Sequence, residues 1–333
     1  MINPITRIQD DVIQVRLPLP FALKTVNCYL VRGRSGWSIF DTGLHTAAGQ
    51  AVWQEVFRRL RIGPGDVARI VLTHCHPDHY GMSGWLQRFF SAGHPETAPP
   101  VLVSQKEYRH ARNVVQPDFD LAAMLFDFFS RCGLHAETAN GILANLEQIR
   151  AATRPHPEHV EFLEAGTTLT VGKYRFQLIH TPGHSDGHLI FYDRRHRLAL
   201  SGDHVLLKIT PNISLWPLTE ANPLGRYLHS LEQLEKLEVD CALPGHKQLI
   251  TDWRKRVAEL QSHHHERLQQ MKNVIDGAAT PFDVCARVFD VNALSSHEIR
   301  FAVTETLAHL EYLVNEQTLQ KNTNHVWTYM RNC

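Results

Sequence analysis

The chain opens with short apolar runs separated by turn-formers. This pattern predicts strands over residues 12–17, 26–31 and 37–41, the last two joined by a hairpin at Gly33 and Gly36. The period then changes: Ala51, Val52, Val56, Phe57 and Leu60 fall at helical spacing over 46–60, until Gly63-Pro64-Gly65 breaks the helix. An apolar strand follows over 68–72, whereas residues 104–155 are helical in pattern and read as an inserted layer. Strand patterns return at 167–171, 174–179, 188–192, 198–200 and 241–243, with a helix over 222–237 between the last two. Two strand blocks flanked by helices predict an α+β fold of two packed sheets with helices outside. Beyond Trp253 the strand pattern stops, and a long polar helix through Leu268 and Ile275 leads into a compact helical segment ending in a strand-like 325–329. This divides the chain into a large domain, 1–252, and a small one, 253–333.

Composition narrows the function classes. Lys plus Arg (34) balance Asp plus Glu (34), so no global field holds the protein on nucleic acid or an anionic membrane. Polyanion binding would need a local patch, assembled from residues such as Arg254, Lys255, Arg256 and Arg267. The six cysteines lack CxxC spacing and the N-terminus lacks a signal-peptide pattern, which reads as a reduced, cytoplasmic protein with free thiols. No apolar run reaches the roughly 18 residues of a membrane span. The 22 histidines are the compositional outlier, and their positions decide what they mean.

Thr73-His74-Cys75-His76-Pro77-Asp78-His79 stands where an apolar strand ends and a helix begins. Two residues apart on extended backbone, His74 and His76 point the same way and can share one metal. Pro77 turns the chain, so that Asp78 and His79 can face a second metal, while Cys75 points to the opposite side. Burying four ligand-type residues in six positions without a partner would be costly, which favours a metal over surface or core histidines. Three later segments repeat one design, an apolar strand ending in a ligand-type residue: Thr181-Pro182-Gly183-His184, Ser201-Gly202-Asp203 and Pro244-Gly245-His246. Each alone would more often be a turn; together with the first cluster they complete a ligand set. The run His263-His264-His265 is read instead as a partly exposed helix face, because consecutive helix positions point apart. Met82, Trp85, Phe89 and Phe90 are assigned to the buried face of the helix after the cluster.

The succession HxHxDH, TPGH, SGD and PGH, preceded by Asp41-Thr42-Gly43, resembles the metallo-β-lactamase superfamily over residues from about 10 to 250. The resemblance implies an αββα sandwich. It also implies that His74, His76 and His184 hold one metal, that Asp78, His79 and His246 hold a second, that Asp203 bridges them, and that Asp41 orients a ligand. Zn2+ is the expected metal, and the nitrogen and oxygen donors suit Mn2+ or Fe2+ equally and do not fix the choice. The tail resembles the winged-helix domain of one branch of the superfamily, with helices over 281–289 and 298–316 and a wing strand over 325–329. That branch includes endoribonucleases and thioesterase-like proteins. No Arg/Lys cluster marks the third helix, so a packing or homodimer role is favoured over nucleic-acid binding.

Two divalent ions sharing a water lower its pKa toward roughly 7 and supply hydroxide at neutral pH, with Asp78 orienting it. A thiolate, whose parent thiol has a pKa of about 8.5, leaves without a protonating acid, and no motif names such an acid. The expected activity is therefore hydrolysis of a small-molecule acyl thioester or carboxylic ester, as in glyoxalase-II-like members. A lactonase or an endoribonuclease would use the same metals. The non-enzyme alternative is a metal-containing regulatory scaffold acting through its tail; its mark would be a missing ligand, and none is missing.

Overall fold

The computed structural model describes residues 3–91, 93–115, 117 and 119–332. An antiparallel meander comes first: β1 (Ile5–Gln9), β2 (Val12–Pro18), β3 (Thr25–Arg32) and β4 (Trp37–Phe40). Parallel strands β5 (Val67–Val71), β6 (Val101–Ser104) and β7 (Val160–Leu163) extend it into a seven-stranded sheet in chain order. The second sheet contains β8 (Thr168–Val171), β9 (Tyr174–His180), β10 (Leu189–Asp193), β11 (Leu198–Gly202) and β12 (Cys241–Pro244), ordered β12-β11-β10-β9-β8. Phe40 on the first sheet meets Phe176 and Phe191 on the second edge-on, with centroids 5.8 and 5.3 Å apart, inside a shared apolar layer.

Helices cover both outer faces. On the first sheet lie α1 (Ala47–Leu60), α2 (Pro77–Tyr80) and α3 (Ser83–Ser91), with Trp53, Phe57, Met82, Leu86 and Phe90 in one core. Helix α1 starts where Thr46 accepts a hydrogen bond from the Gly49 amide, an N-cap that satisfies one of the free donors of the first turn. The segment between β6 and β7 is helical: α4 (Gln105–Val115), α5 (Leu121–Arg131) and α6 (Ala136–Ala151). The second sheet turns Ile190, Tyr192, Ala199 and Ala242 toward α5, α6, α7 (Pro223–Leu234) and the three helices of the tail. The tail comprises α8 (Trp253–Asn273), α9 (Pro281–Val288) and α10 (Ser296–Asn315), then the hairpin β13 (Leu319–Asn322) and β14 (Thr328–Arg331). Val303 and Leu307 of α10 share their core with Phe129 and Ile142 of the insertion, so the tail covers the same face as the insertion.

Three corrections to the sequence reading have physical causes. Strands β6 and β7 are four residues each: all of β6 is buried and shows no alternation, and β7 lies at a sheet edge with two exposed positions. Neither carries the period-2 signal that marks a strand. β1, with its mixed Ile-Thr-Arg-Ile-Gln sequence, also lies at an edge. His264 is fully buried rather than half-exposed, its Nδ1 3.2 Å from His309 Nε2, whereas His265 is exposed as expected. Cys28, Cys75, Cys132, Cys241 and Cys285 are free thiols, and Cys333 lies outside the described residues. Among the described residues no helix is long and apolar enough to cross a membrane.

Candidate metal centre

Strand ends build the site. β4 ends at Asp41, whose φ of 57° lies in the left-handed region that Asp tolerates better than most residues. This bend aims its buried carboxylate at the loop after β5, where Oδ1 accepts the Thr73 amide at 2.8 Å and Oδ2 accepts the Thr73 hydroxyl at 2.9 Å and His79 Nδ1 at 2.8 Å. Having donated to Asp41, the Thr73 hydroxyl accepts from His74 Nδ1 at 2.9 Å. The remaining ring nitrogens are fixed by carbonyls: His184 Nδ1 donates to Asn212 O at 3.0 Å and His246 Nδ1 to Thr25 O at 2.9 Å.

These bonds determine what the inner nitrogens can be. A neutral imidazole has one N–H, so rings that donate through Nδ1 present Nε2 as a bare lone pair. His74 Nε2 and His184 Nε2 are nevertheless 3.3 Å apart, and His76 Nδ1 is 3.1 Å from His74 Nε2. In the same way His246 Nε2 faces Asp203 Oδ2 at 3.1 Å and Asp78 Oδ2 at 3.2 Å, and His79 Nε2 faces Asp203 Oδ1 at 3.3 Å. His79 Nε2, His246 Nε2 and Asp203 Oδ1 are buried with no hydrogen-bond partner. Acceptors converging on acceptors in a buried site call for a cation between them, and the donor set fits divalent metals.

The groups with mutually close donor atoms are His74, His76 and His184; His74, His79 and Asp203; and Asp78, His79 and His246. All seven residues expected from the sequence therefore come together, with Asp203 facing members of each set. Electrostatics agree with this arrangement. Burial holds His74 and His184 well toward the neutral form that a ligand needs. Burial opposes charge on His246 too, but the Asp203 and Asp78 carboxylates outweigh it and raise its pKa to about 10, the mark of a site whose negative charge favours a cation.

Other supports could not be read from the sequence. Glu107 of α4 accepts the Cys75 amide at 2.8 Å and the Gly187 amide at 2.6 Å, tying two ligand loops together. Cys75, although beside two of the histidines, is buried in the core of the first sheet and is absent from the groups of converging donors. Asn212, which holds His184, donates through Nδ2 to Glu305 of α10 at 2.8 Å, so the tail braces a ligand-type histidine. Both contacts join residues far apart in sequence and leave no local pattern. Phe128 of the insertion and Trp216 stack at 6.3 Å, and Tyr108 packs on Phe162 at 5.7 Å.

Comparison with known proteins agrees with the geometry. Residues 23–246 match the family described as the metallo-beta-lactamase superfamily, and 268–332 match the metallo-beta-lactamase-like C-terminal domain. The chain belongs to the metallo-beta-lactamase superfamily. It is similar to a metallo-beta-lactamase family protein of Thermus thermophilus, with 33% identity, TM-score 0.85, and coverage of 98% of this chain and 100% of that one. A beta-lactamase domain protein of Burkholderia ambifaria is similar at 28% identity and TM-score 0.85, over 98% and 93% of the two chains. The Bacillus subtilis protein named "Probable metallo-hydrolase YqjP" is 24% identical over 320 residues, 93% of this chain and 94% of that protein.

Supplied with divalent metal, the purified protein is expected to retain close to two ions per chain, read by elemental analysis. A stoichiometry well under one would contradict the cation reading of the facing lone pairs.

Proposed function

We propose that this protein is a binuclear metal-dependent hydrolase of acyl thioesters or small carboxylic esters. His74, His76 and His184 would hold one cation and Asp78, His79 and His246 the other, with Asp203 placed to serve both. When bound, such a pair supplies an activated water at neutral pH and polarises the scissile carbonyl. The protein's part is to fix donors: Asp41 and Thr73 set the tautomers of His79 and His74, and the carbonyls of Asn212 and Thr25 set those of His184 and His246. Asp78 orients the nucleophile.

The leaving group carries the choice of substrate. Among the described residues, the hydrogen-bond partners of the seven side chains, apart from one another, are Asp41, Thr73 and the Asn212 and Thr25 carbonyls, and the His188 ring lies 5.1 Å from that of His74. None holds a proton ready for an amine or alkoxide, and burial keeps His188 neutral. A thiolate needs no such donor. A relative in Bdellovibrio bacteriovorus bears the name hydroxyacylglutathione hydrolase, at 26% identity over 43% of this chain and 37% of that protein, which points the same way.

The RNA reading is disfavoured by the fate of its basic residues. Arg256 is spent internally, donating to Leu206 O at 2.6 Å and Ile209 O at 2.7 Å, and Arg267 lies over the Phe289 ring at 4.7 Å. That leaves Arg254 and Lys255 exposed on α8, too few for the several phosphate contacts that polyanion binding draws on. We read the tail, winged-helix-like in its order of three helices and a hairpin, as a packing element. The deciding test compares a chromogenic thioester, ester, lactone and single-stranded RNA on one metal-loaded preparation, with and without chelator. Thioester kcat/KM should be highest and fall to background with chelator; efficient, salt-sensitive RNA cleavage would replace this reading with an endoribonuclease.

A further inference from the structure

Arg300 of α10 is only 8% exposed, yet among the described residues no carboxylate pairs with it. Its Nε is buried without an acceptor, and its hydrogen-bonding neighbour is His297, with Nη2 3.3 Å from Nδ1. The guanidinium lies between the rings of Phe301, 4.2 Å to the centroid, and Trp216, 5.6 Å. The contrast with Arg256 is direct: that buried guanidinium donates to two carbonyls and to Glu259 at 2.9 Å. A buried cation without an anion is costly and is retained where a partner arrives from outside.

The position says what arrives. Asn212 donates to Phe301 O at 3.4 Å and accepts from His184 Nδ1 at 3.0 Å, so one residue joins the turn carrying Arg300 to the metal centre. Burial presses the Arg300 pKa down to about 10, and the charged group acting against this is Asp78, itself part of that centre. His297, the neighbour of Arg300, stacks on Phe21 at 4.6 Å and with it lines a cleft of ≈ 490 Å³ whose wall also includes Leu44, Ile149 and Glu298.

Resting on the hydrolase reading above, we infer that Arg300 is the docking point for a carboxylate on the substrate's acyl part, so the preferred substrate is a thioester or ester of a dicarboxylic acid. A planar guanidinium matches a carboxylate bidentately and needs no second cation, whereas a nucleic-acid backbone needs several.

The test uses the metal-loaded full chain as wild type, Arg300→Met and Arg300→Lys, with the glutaryl thioester of N-acetylcysteamine and its neutral terminal-amide analogue. Wild type should favour the carboxylate substrate about 10- to 100-fold in kcat/KM, chiefly through KM, as expected for a charge-assisted hydrogen-bonded pair. Arg300→Met should abolish the preference and Arg300→Lys keep part of it. Calorimetric titration with glutarate, the product acid, gives a readout independent of turnover: binding should weaken at least about tenfold in Arg300→Met. If neither thioester turns over while glutarate binding still depends on Arg300, the carboxylate subsite stands and the thioesterase reading fails. Equal substrate ratios together with equal glutarate affinity in wild type and variants overturn the inference. So does inorganic phosphate binding through Arg300 in preference to glutarate. If Arg300→Met does not fold, the glutarate affinity of Arg300→Lys decides.

Discussion

Asp203→Ala should lower metal content from close to two ions per chain to below one and cut turnover by at least about 1000-fold, the scale of losing several kcal/mol of Lewis-acid stabilisation. The expectation follows from where its two oxygens point. Oδ1 lies 3.3 Å from His79 Nε2, while Oδ2 lies 3.1 Å from His246 Nε2 and 3.9 Å from His184 Nε2. One side chain thus faces rings from both proposed sets, and its removal leaves each cation a ligand short. His246→Ala is the matched comparison. Its ring faces Asp78 and Asp203 and has no place in the group of His74, His76 and His184. It should therefore empty one position and leave about one ion per chain. Elemental analysis and turnover, measured on both variants beside wild type, check the pair. Equal losses of a single ion in the two variants would contradict a bridging role.

The site was more legible in the sequence than the shell that supports it. His74, His76, Asp78 and His79 share one loop, and His184, Asp203 and His246 each end an apolar strand, so chemistry and local pattern coincide at those positions. Glu107, Asn212, Glu305 and Arg300 act across 32 to 93 residues of chain or through the packing of α10, and no local signal marks them. The fold shows the same division. The long amphipathic helices and alternating strands were readable, but β6 and β7 become strands because the sheet pairs them, Val101 with Val160 and Val103 with Phe162. Tertiary context overrides propensity in segments this short.

Gly245, directly before His246, leaves no room for a side chain. A Cβ there would lie 2.1 Å from Asp203 Oδ1 and 2.6 Å from His79 Cε1, inside the metal centre itself. Neither neighbour can give way without disturbing the centre, because His79 is held by Asp41 and Asp203 is packed between His79 and His246. The Gly245 backbone is fixed from outside as well, its carbonyl accepting the Asn27 amide at 2.7 Å and its amide donating to Gly202 O at 2.8 Å. Gly245→Ala should accordingly displace His246 or Asp203 by the order of an ångström, a misplacement that costs about 100-fold in rate at a reacting centre. Overpacking should cost about 1–3 kcal/mol of stability, leaving a folded protein whose metal content can be measured. Gly63→Ala is the control, since its Cβ would meet only Asp66 Oδ2 at 3.8 Å and its φ is not positive. A Gly245→Ala protein that keeps two ions and wild-type turnover would show that the loop relaxes around a methyl group, and that the close approach of backbone to carboxylate places no constraint on the site.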